Sequence, residues 1–129
     1  MADKAKILIV EDEVILAASM ERELARRGYR ICESACTEDQ AMRQLAAEQP
    51  DLIVLDCCLG CEDSGFDIAG RIRSLSDIPI VFMSGLARSE IADRIDAVRG
   101  ASFLAKPFNP DGLVAVIEAA LRAHRGQAA

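Results

Sequence analysis

A chain of 129 residues has room for one folded unit, and a unit of that size buries about two-thirds of the surface its unfolded form exposes, so it needs no disulfide or metal staples. With 51% apolar and 28% charged residues the composition is that of a globular protein, and with four Phe, one Tyr and no Trp the core has to be aliphatic. A formal net charge of −6 argues against non-specific nucleic-acid binding, no apolar run nears the roughly 20 residues of a membrane helix, and the short polar N-terminus is unlike a signal peptide. The expectation is therefore a single cytoplasmic domain over residues 1–129, with a frayed tail at 126–129 and no membrane association.

The chain opens with KILIV at 6–10, apolar at nearly every position, as a strand covered on both faces must be. A helix follows, in which Leu16, Met20 and Leu24 recur at four-residue spacing. Arg26 and Arg27 suit its negative end, and Gly28 supplies a stop. RICESA at 30–35 carries enough polar residues for a strand at a sheet edge. TEDQ at 37–40 is a capping-box pattern, and the helix it starts must end before Pro50. LIVL at 52–55 and IVFM at 80–83 are two further fully buried strands. Between them SGFD at 64–67 is a looser cap for a helix carrying Ile68, Ile72 and Leu75. Ile91, Ile95 and Val98 mark a fourth helix stopping at Gly100, and ASFLA at 101–105 reads as a strand at an edge or half covered. Asn109 followed by Pro110 is an N-cap with proline at the first helical position, and Leu113, Ile117, Ala120 and Leu121 form the stripe of the last helix. Strands alternating with helices through short loops predict an α/β fold, a parallel sheet with right-handed crossovers.

In open sheets of this kind, ligands bind beyond the carboxyl ends of the strands. The first strand is followed by Glu11 and Asp12, the third by Asp56, the fourth by Ser84 and Gly85, and the fifth by Lys106 and Pro107. Three carboxylates, a hydroxyl and an amine thus share one rim. Crowded carboxylates repel unless a cation sits among them, and hard oxygen ligands suit Mg²⁺, which keeps several waters and shares its sites with phosphate. A carboxylate can itself be the nucleophile in phosphoryl transfer, a reaction that asks mainly for positioning and neutralisation of oxygen charge. A lone Asp, Ser or Lys at a strand end is ordinarily a solvated loop residue. The signal lies in all five following apolar runs on the same rim.

Four segments, IVEDE at 9–13, IVLD at 53–56, MSG at 83–85 and AKPF at 105–108, occur in an order that resembles the receiver domain of two-component response regulators across essentially the whole chain. The resemblance implies a flavodoxin-like, doubly wound sheet of five strands in the order 2-1-3-4-5 with five helices on its two faces. It implies that Asp56 accepts a phosphoryl group from a sensor histidine kinase or a histidine phosphotransfer protein, with Mg²⁺ as cofactor. Asp12 and Asp56 would ligate the ion directly, Glu11 through water, and Cys58 through its backbone carbonyl. Ser84 and Lys106 would bind phosphoryl oxygens, the peptide bond between Lys106 and Pro107 would be cis, and Ser84 with Phe103 would form the switch that a downstream protein or a second copy of the chain reads. One departure is visible. The family often has a Leu/Met-Pro pair after the acceptor and a glycine eight positions on; here Gly60 follows Leu59 and the later glycine, Gly65, comes one residue further along, which predicts a longer, looser segment at 60–64.

Two other chemistries compete. Cys57, Cys58 and Cys61 include a C-x-x-C that could be a redox pair, or a zinc site if Cys32, Cys36 or His124 joined it; the plain alternative is reduced thiols filling a tight loop. A phosphatase with a strand-end Asp nucleophile, of the kind that resembles haloacid dehalogenases, would carry a second Asp two positions later, where Cys58 stands. The chain is thus expected to be a phosphoacceptor and not an enzyme in its own right, either free-standing or part of something longer.

Overall fold

The computed structural model describes residues 4–59 and 63–128. Its centre is three strands whose every residue from Ile7 onward is buried: β1 (Lys6–Val10), β3 (Leu52–Asp56) and β6 (Ile80–Ser84). Alternate residues of each point to opposite faces, so both faces need cover. Leu8, Val10, Ile53, Leu55, Ile80 and Phe82 face one core, completed by α2 (Glu38–Glu48), α3 (Gly65–Arg73) and α4 (Arg88–Asp96). Ile7, Ile9, Leu52, Val54, Val81 and Met83 face a second core, completed by α1 (Val14–Arg26) and α5 (Pro110–Ala128). Full burial of one such side chain contributes about 1.5–3 kcal/mol. The aliphatic core expected from composition is present, with Phe82 its one fully buried large ring.

Two edge strands close the sheet, a short β2 (Arg30–Ile31) beside β1 and β7 (Ala101–Ala105) beside β6, giving the parallel order β2-β1-β3-β6-β7. Counting the strands of this sheet alone, that is the expected 2-1-3-4-5 order of a flavodoxin-like fold. The second strand is shorter than the sequence suggested, because its register slips. Ile7 pairs with Ile31, but Val10 bridges Ala35, which leaves one extra residue on the edge side. Such a bulge interrupts the ladder without ending it: Cys32 N–H still donates to Ile7 O and Ala35 N–H to Ile9 O, both at 3.0 Å.

Helix ends follow local chemistry. Thr37 accepts the Gln40 N–H at 3.2 Å, while the Gln40 side chain reaches back to the Cys36 N–H at 2.8 Å. Asn109 Oδ1 accepts from Gly112 N–H at 2.7 Å. Gly28 turns the chain out of α1 at φ +96°, a conformation that costs a residue with a Cβ. Two expectations are corrected. α3 ends at Arg73, so Leu75 lies past it and is 70% exposed, outside the apolar stripe. α4 ends at Asp96, and Val98 packs against the core from the following turn. α5 runs from Pro110 to Ala128.

The segment expected to be longer and looser, 60–64, is described only at 63–64. β4 (Cys58–Leu59) pairs antiparallel with β5 (Asp63–Ser64), and Leu59 is buried in the first core. Residues 60–62, including Cys61, lie outside the described ones.

Candidate functional site

Each strand end delivers its side chain to the rim for a local reason. Glu11 continues the pairing of β1, its N–H donating to Ala35 O at 2.9 Å, and this carries its side chain inward until none of it is exposed. Asp12, one residue on, faces out. Asp56 is the last residue of β3 and 7% exposed. One carboxylate oxygen from each of Glu11, Asp12 and Asp56 lies within 4.8 Å of the others. Lys106 follows β7 directly; its N–H donates to Ser84 O at 2.8 Å, and its bond to Pro107 is cis, as expected.

The lysine ammonium bridges two of the acids, 2.8 Å from Glu11 Oε1 and 3.2 Å from Asp56 Oδ2. Partial burial alone would lower the Lys106 pKa, but the hydrogen bond to Glu11 and the charge of Asp56 outweigh it and hold the pKa above the ordinary lysine value. The other Asp56 oxygen, Oδ1, accepts the Cys58 N–H at 3.1 Å, so both carboxylate oxygens are fixed. Three carboxylates drawn together at a partly desolvated rim repel one another, which a cation among them relieves. The donor set is all oxygen, which suits a hard divalent cation; Glu11, Asp12 and Asp56 are the residues that could hold Mg²⁺.

Ser84 ends β6 at 5% exposure, its Oγ accepting the Leu86 N–H at 2.9 Å. Because Asp56 pairs with Met83, Ser84 is the next residue along the neighbouring strand. Phe103 sits half-buried on β7 opposite Phe82 and packs against the α2–α3–α4 core. The structure thus brings Glu11, Asp12, Asp56 and Lys106 together and places Ser84 beside them, with Phe103 deeper along the same edge.

Sequence reasoning missed the direct Lys106–Glu11 ion pair, having placed the lysine only on phosphoryl oxygens. It also missed what Gly65 does. That residue opens α3 against the backbone of the acceptor strand, donating its N–H to Cys57 O at 2.8 Å, and a Cβ there would collide with the Asp56 carbonyl oxygen. The only signal in the sequence was a glycine inside a capping pattern. As for the thiols, Cys32, Cys36, Cys57 and Cys58 form no disulfide. Burial, with the Asp56 charge beside it, pushes the Cys57 thiol up to about 12, the behaviour of a core filler and not of a reactive cysteine.

Fold and rim together define a flavodoxin-like α/β domain, with acids, a hydroxyl and an amine at the carboxyl edge of a parallel sheet. Comparisons with known proteins sharpen this. The profile of the response regulator receiver domain matches residues 7–118. The chain is 40% identical over 122 residues to the transcriptional regulatory protein YvrH of Bacillus subtilis (strain 168), covering 93% of this chain and 50% of that protein. It is 36% identical over 122 residues to the probable transcriptional regulator ycf27 of Cyanophora paradoxa, covering 93% of this chain and 49% of that one. It spans about half the length of these curated relatives. Among solved structures, the N-terminal domain of a response regulator/sensory box/GGDEF 3-domain protein from Carboxydothermus hydrogenoformans superposes with a TM-score of 0.85 at 30% identity, covering 96% and 99% of the two chains. A CheY-like receiver domain protein from Methanospirillum hungatei JF-1, at 24% identity and a TM-score of 0.85 over 96% and 98% of the chains, shares the fold. This chain belongs to the response regulator receiver domain family, and its place is in two-component signalling.

Proposed function

We propose that Asp56 accepts a phosphoryl group from a phosphohistidine of a sensor kinase or phosphotransfer protein, and that the chain relays this state to a partner through its α4–β7–α5 face. The observation that carries the reading is the fixed Asp56 carboxylate, held by the Cys58 N–H on one oxygen and the Lys106 ammonium on the other, beside two further acids. An Asp56 oxygen bonds to phosphorus as the donor's P–N bond breaks and the imidazole leaves. Asp12, Asp56 and the Cys58 carbonyl, with Glu11 beside them, are the groups that would hold Mg²⁺, and the bound ion would supply positive charge to the transferring oxygens. Lys106 adds a charge-assisted hydrogen bond to one of them, and the Ser84 hydroxyl donates to another once it turns from its present role as acceptor for Leu86 N–H.

Donor access fits the surface. Val14 and Ile15, 72% and 87% exposed, begin α1 beside the rim, and a groove of about 430 Å³ lined by Leu16, Met20, Phe108 and Leu113 runs from Lys106 between α1 and α5. A histidine-bearing donor protein would cover this apolar strip while presenting its phosphoryl group to Asp56. The chain does not catalyse turnover of an external substrate; it assists only its own phosphorylation and dephosphorylation. No helix among the described residues is long and apolar enough to cross a membrane, and the cytoplasm is the proposed location.

The test is incubation with a small phosphodonor and Mg²⁺, read by intact mass. Wild type gains one phosphoryl group and Asp56→Asn gains none; equal labelling of both would remove Asp56 from the role. The relay is a two-state switch: Ser84 moves toward the phosphoryl group and Phe103 turns into the space it leaves. A structure with beryllofluoride bound shows both displaced, and unchanged rotamers would end this account.

A further inference from the structure

We infer that Gly65 is a positioning residue for the phosphoacceptor: its missing side chain lets α3 rest on the peptide that follows Asp56, and that contact sets where the Asp56 carboxylate stands. The inference rests on the reading of Asp56 as acceptor. A Cβ on Gly65 would stand 2.8 Å from Cys57 Cα and 2.9 Å from the Asp56 carbonyl carbon, and closer still to the carbonyl oxygen. All three are backbone atoms of Asp56 and Cys57, so none can rotate away as the end of a side chain would. Either the helix or the strand end has to shift. The contact is also held together, because Gly65 N–H donates to Cys57 O at 2.8 Å.

What lies on the far side of that peptide is the acceptor itself. Asp56 Oδ1 takes the Cys58 N–H at 3.1 Å, so the two peptide units after Asp56 orient its carboxylate, and Gly65 sits against the first of them. The β4–β5 hairpin explains how a glycine nine positions after the acceptor reaches this spot. Cys58 pairs with Ser64 and Leu59 with Asp63, while Leu59 anchors the ribbon in the core at 3% exposure.

The experiment uses Gly65→Ala alone and combined with Gly70→Ala. Gly70 lies on the exposed side of the same helix with nothing within 4 Å of an added Cβ, so alanine there favours the helix and offsets lost stability. Displacing reacting groups by ~1 Å costs about 100-fold in rate, so Gly65→Ala is expected to slow phosphorylation by a small donor by about 10- to 100-fold. In the double variant the urea midpoint recovers and the slow phosphorylation does not. A folded double variant phosphorylated within twofold of wild type overturns the proposal, as does recovery of rate in step with stability. Hydrogen exchange decides the matter without any variant: the Gly65 amide of the wild-type chain exchanges severalfold more slowly once beryllofluoride and Mg²⁺ are bound, and unchanged exchange overturns the proposal even if the variants do not fold. A wild-type chain that takes no phosphoryl group overturns the acceptor reading along with this one, whereas a normal wild type with a normal Gly65→Ala overturns this one alone.

Discussion

Replacing Lys106 with methionine keeps the length and most of the packing of the side chain and removes its charge. In the metal-free protein this removes the ammonium paired with Glu11, fully buried, and with Asp56, 7% exposed. Breaking a buried pair by deleting one partner costs about 3–5 kcal/mol. The Lys106 side chain is 22% exposed, so solvent screening reduces that to ~2–4 kcal/mol. With a urea slope of ~2 kcal/mol/M the midpoint falls by about 1–2 M in the presence of a chelator. Mg²⁺ reverses part of this, because the variant no longer holds an ammonium 2.8 Å and 3.2 Å from two of the carboxylates that would hold the ion. Roughly tenfold tighter Mg²⁺ binding narrows the gap to wild type by about 1.4 kcal/mol. The pH dependence has a definite sign. The folded chain holds the Lys106 proton more tightly than the unfolded chain does, so the contribution is complete below the unfolded lysine value of about 10.4 and fades as pH rises through the higher folded one. Urea titrations of both proteins, with chelator and with Mg²⁺, from pH 7 upward, check all three statements. A gap indifferent to Mg²⁺, or weaker Mg²⁺ binding by the variant, would refute the reasoning.

Two further outcomes follow from the same geometry. With its thiol pushed up to about 12, Cys57 is ionised to only about one part in ten thousand at pH 8; alkylation followed by peptide mapping labels exposed Cys58 well before it, and labelling at equal rates would contradict the burial argument. Leu86, 54% exposed and two residues past Ser84, cannot orient an attacking water, so Leu86→Glu is expected to shorten the phosphoryl lifetime severalfold, read by intact mass after the donor is removed. An unchanged or longer lifetime counts against that role.

The parts of this protein legible in its sequence are those where one local rule decides. Leu52 to Leu55 could be placed because a strand covered on both faces admits no polar residue, and Thr37 because its hydroxyl and Gln40 satisfy each other's neighbours within one turn. Asp56 and Lys106 stood out because each directly follows an apolar run. What stayed hidden depends on distances between elements. The pairing of Lys106 with Glu11, 95 residues apart, is a matter of which oxygen lies nearest after the sheet forms. The edge-strand bulge before Ala35 and the collision guarded against at Gly65 are likewise set by how neighbouring backbones meet. Leu75 misled because it keeps helical spacing with Ile72 while the helix itself stops at Arg73.

The pocket draws on β1, β3 and β7, so its members come from opposite ends of the polypeptide. A ribosome that has extruded everything but the closing strand holds a chain with all three acids and without the Lys106 ammonium that offsets their mutual repulsion. Completion of the sheet edge and completion of the rim are therefore one event.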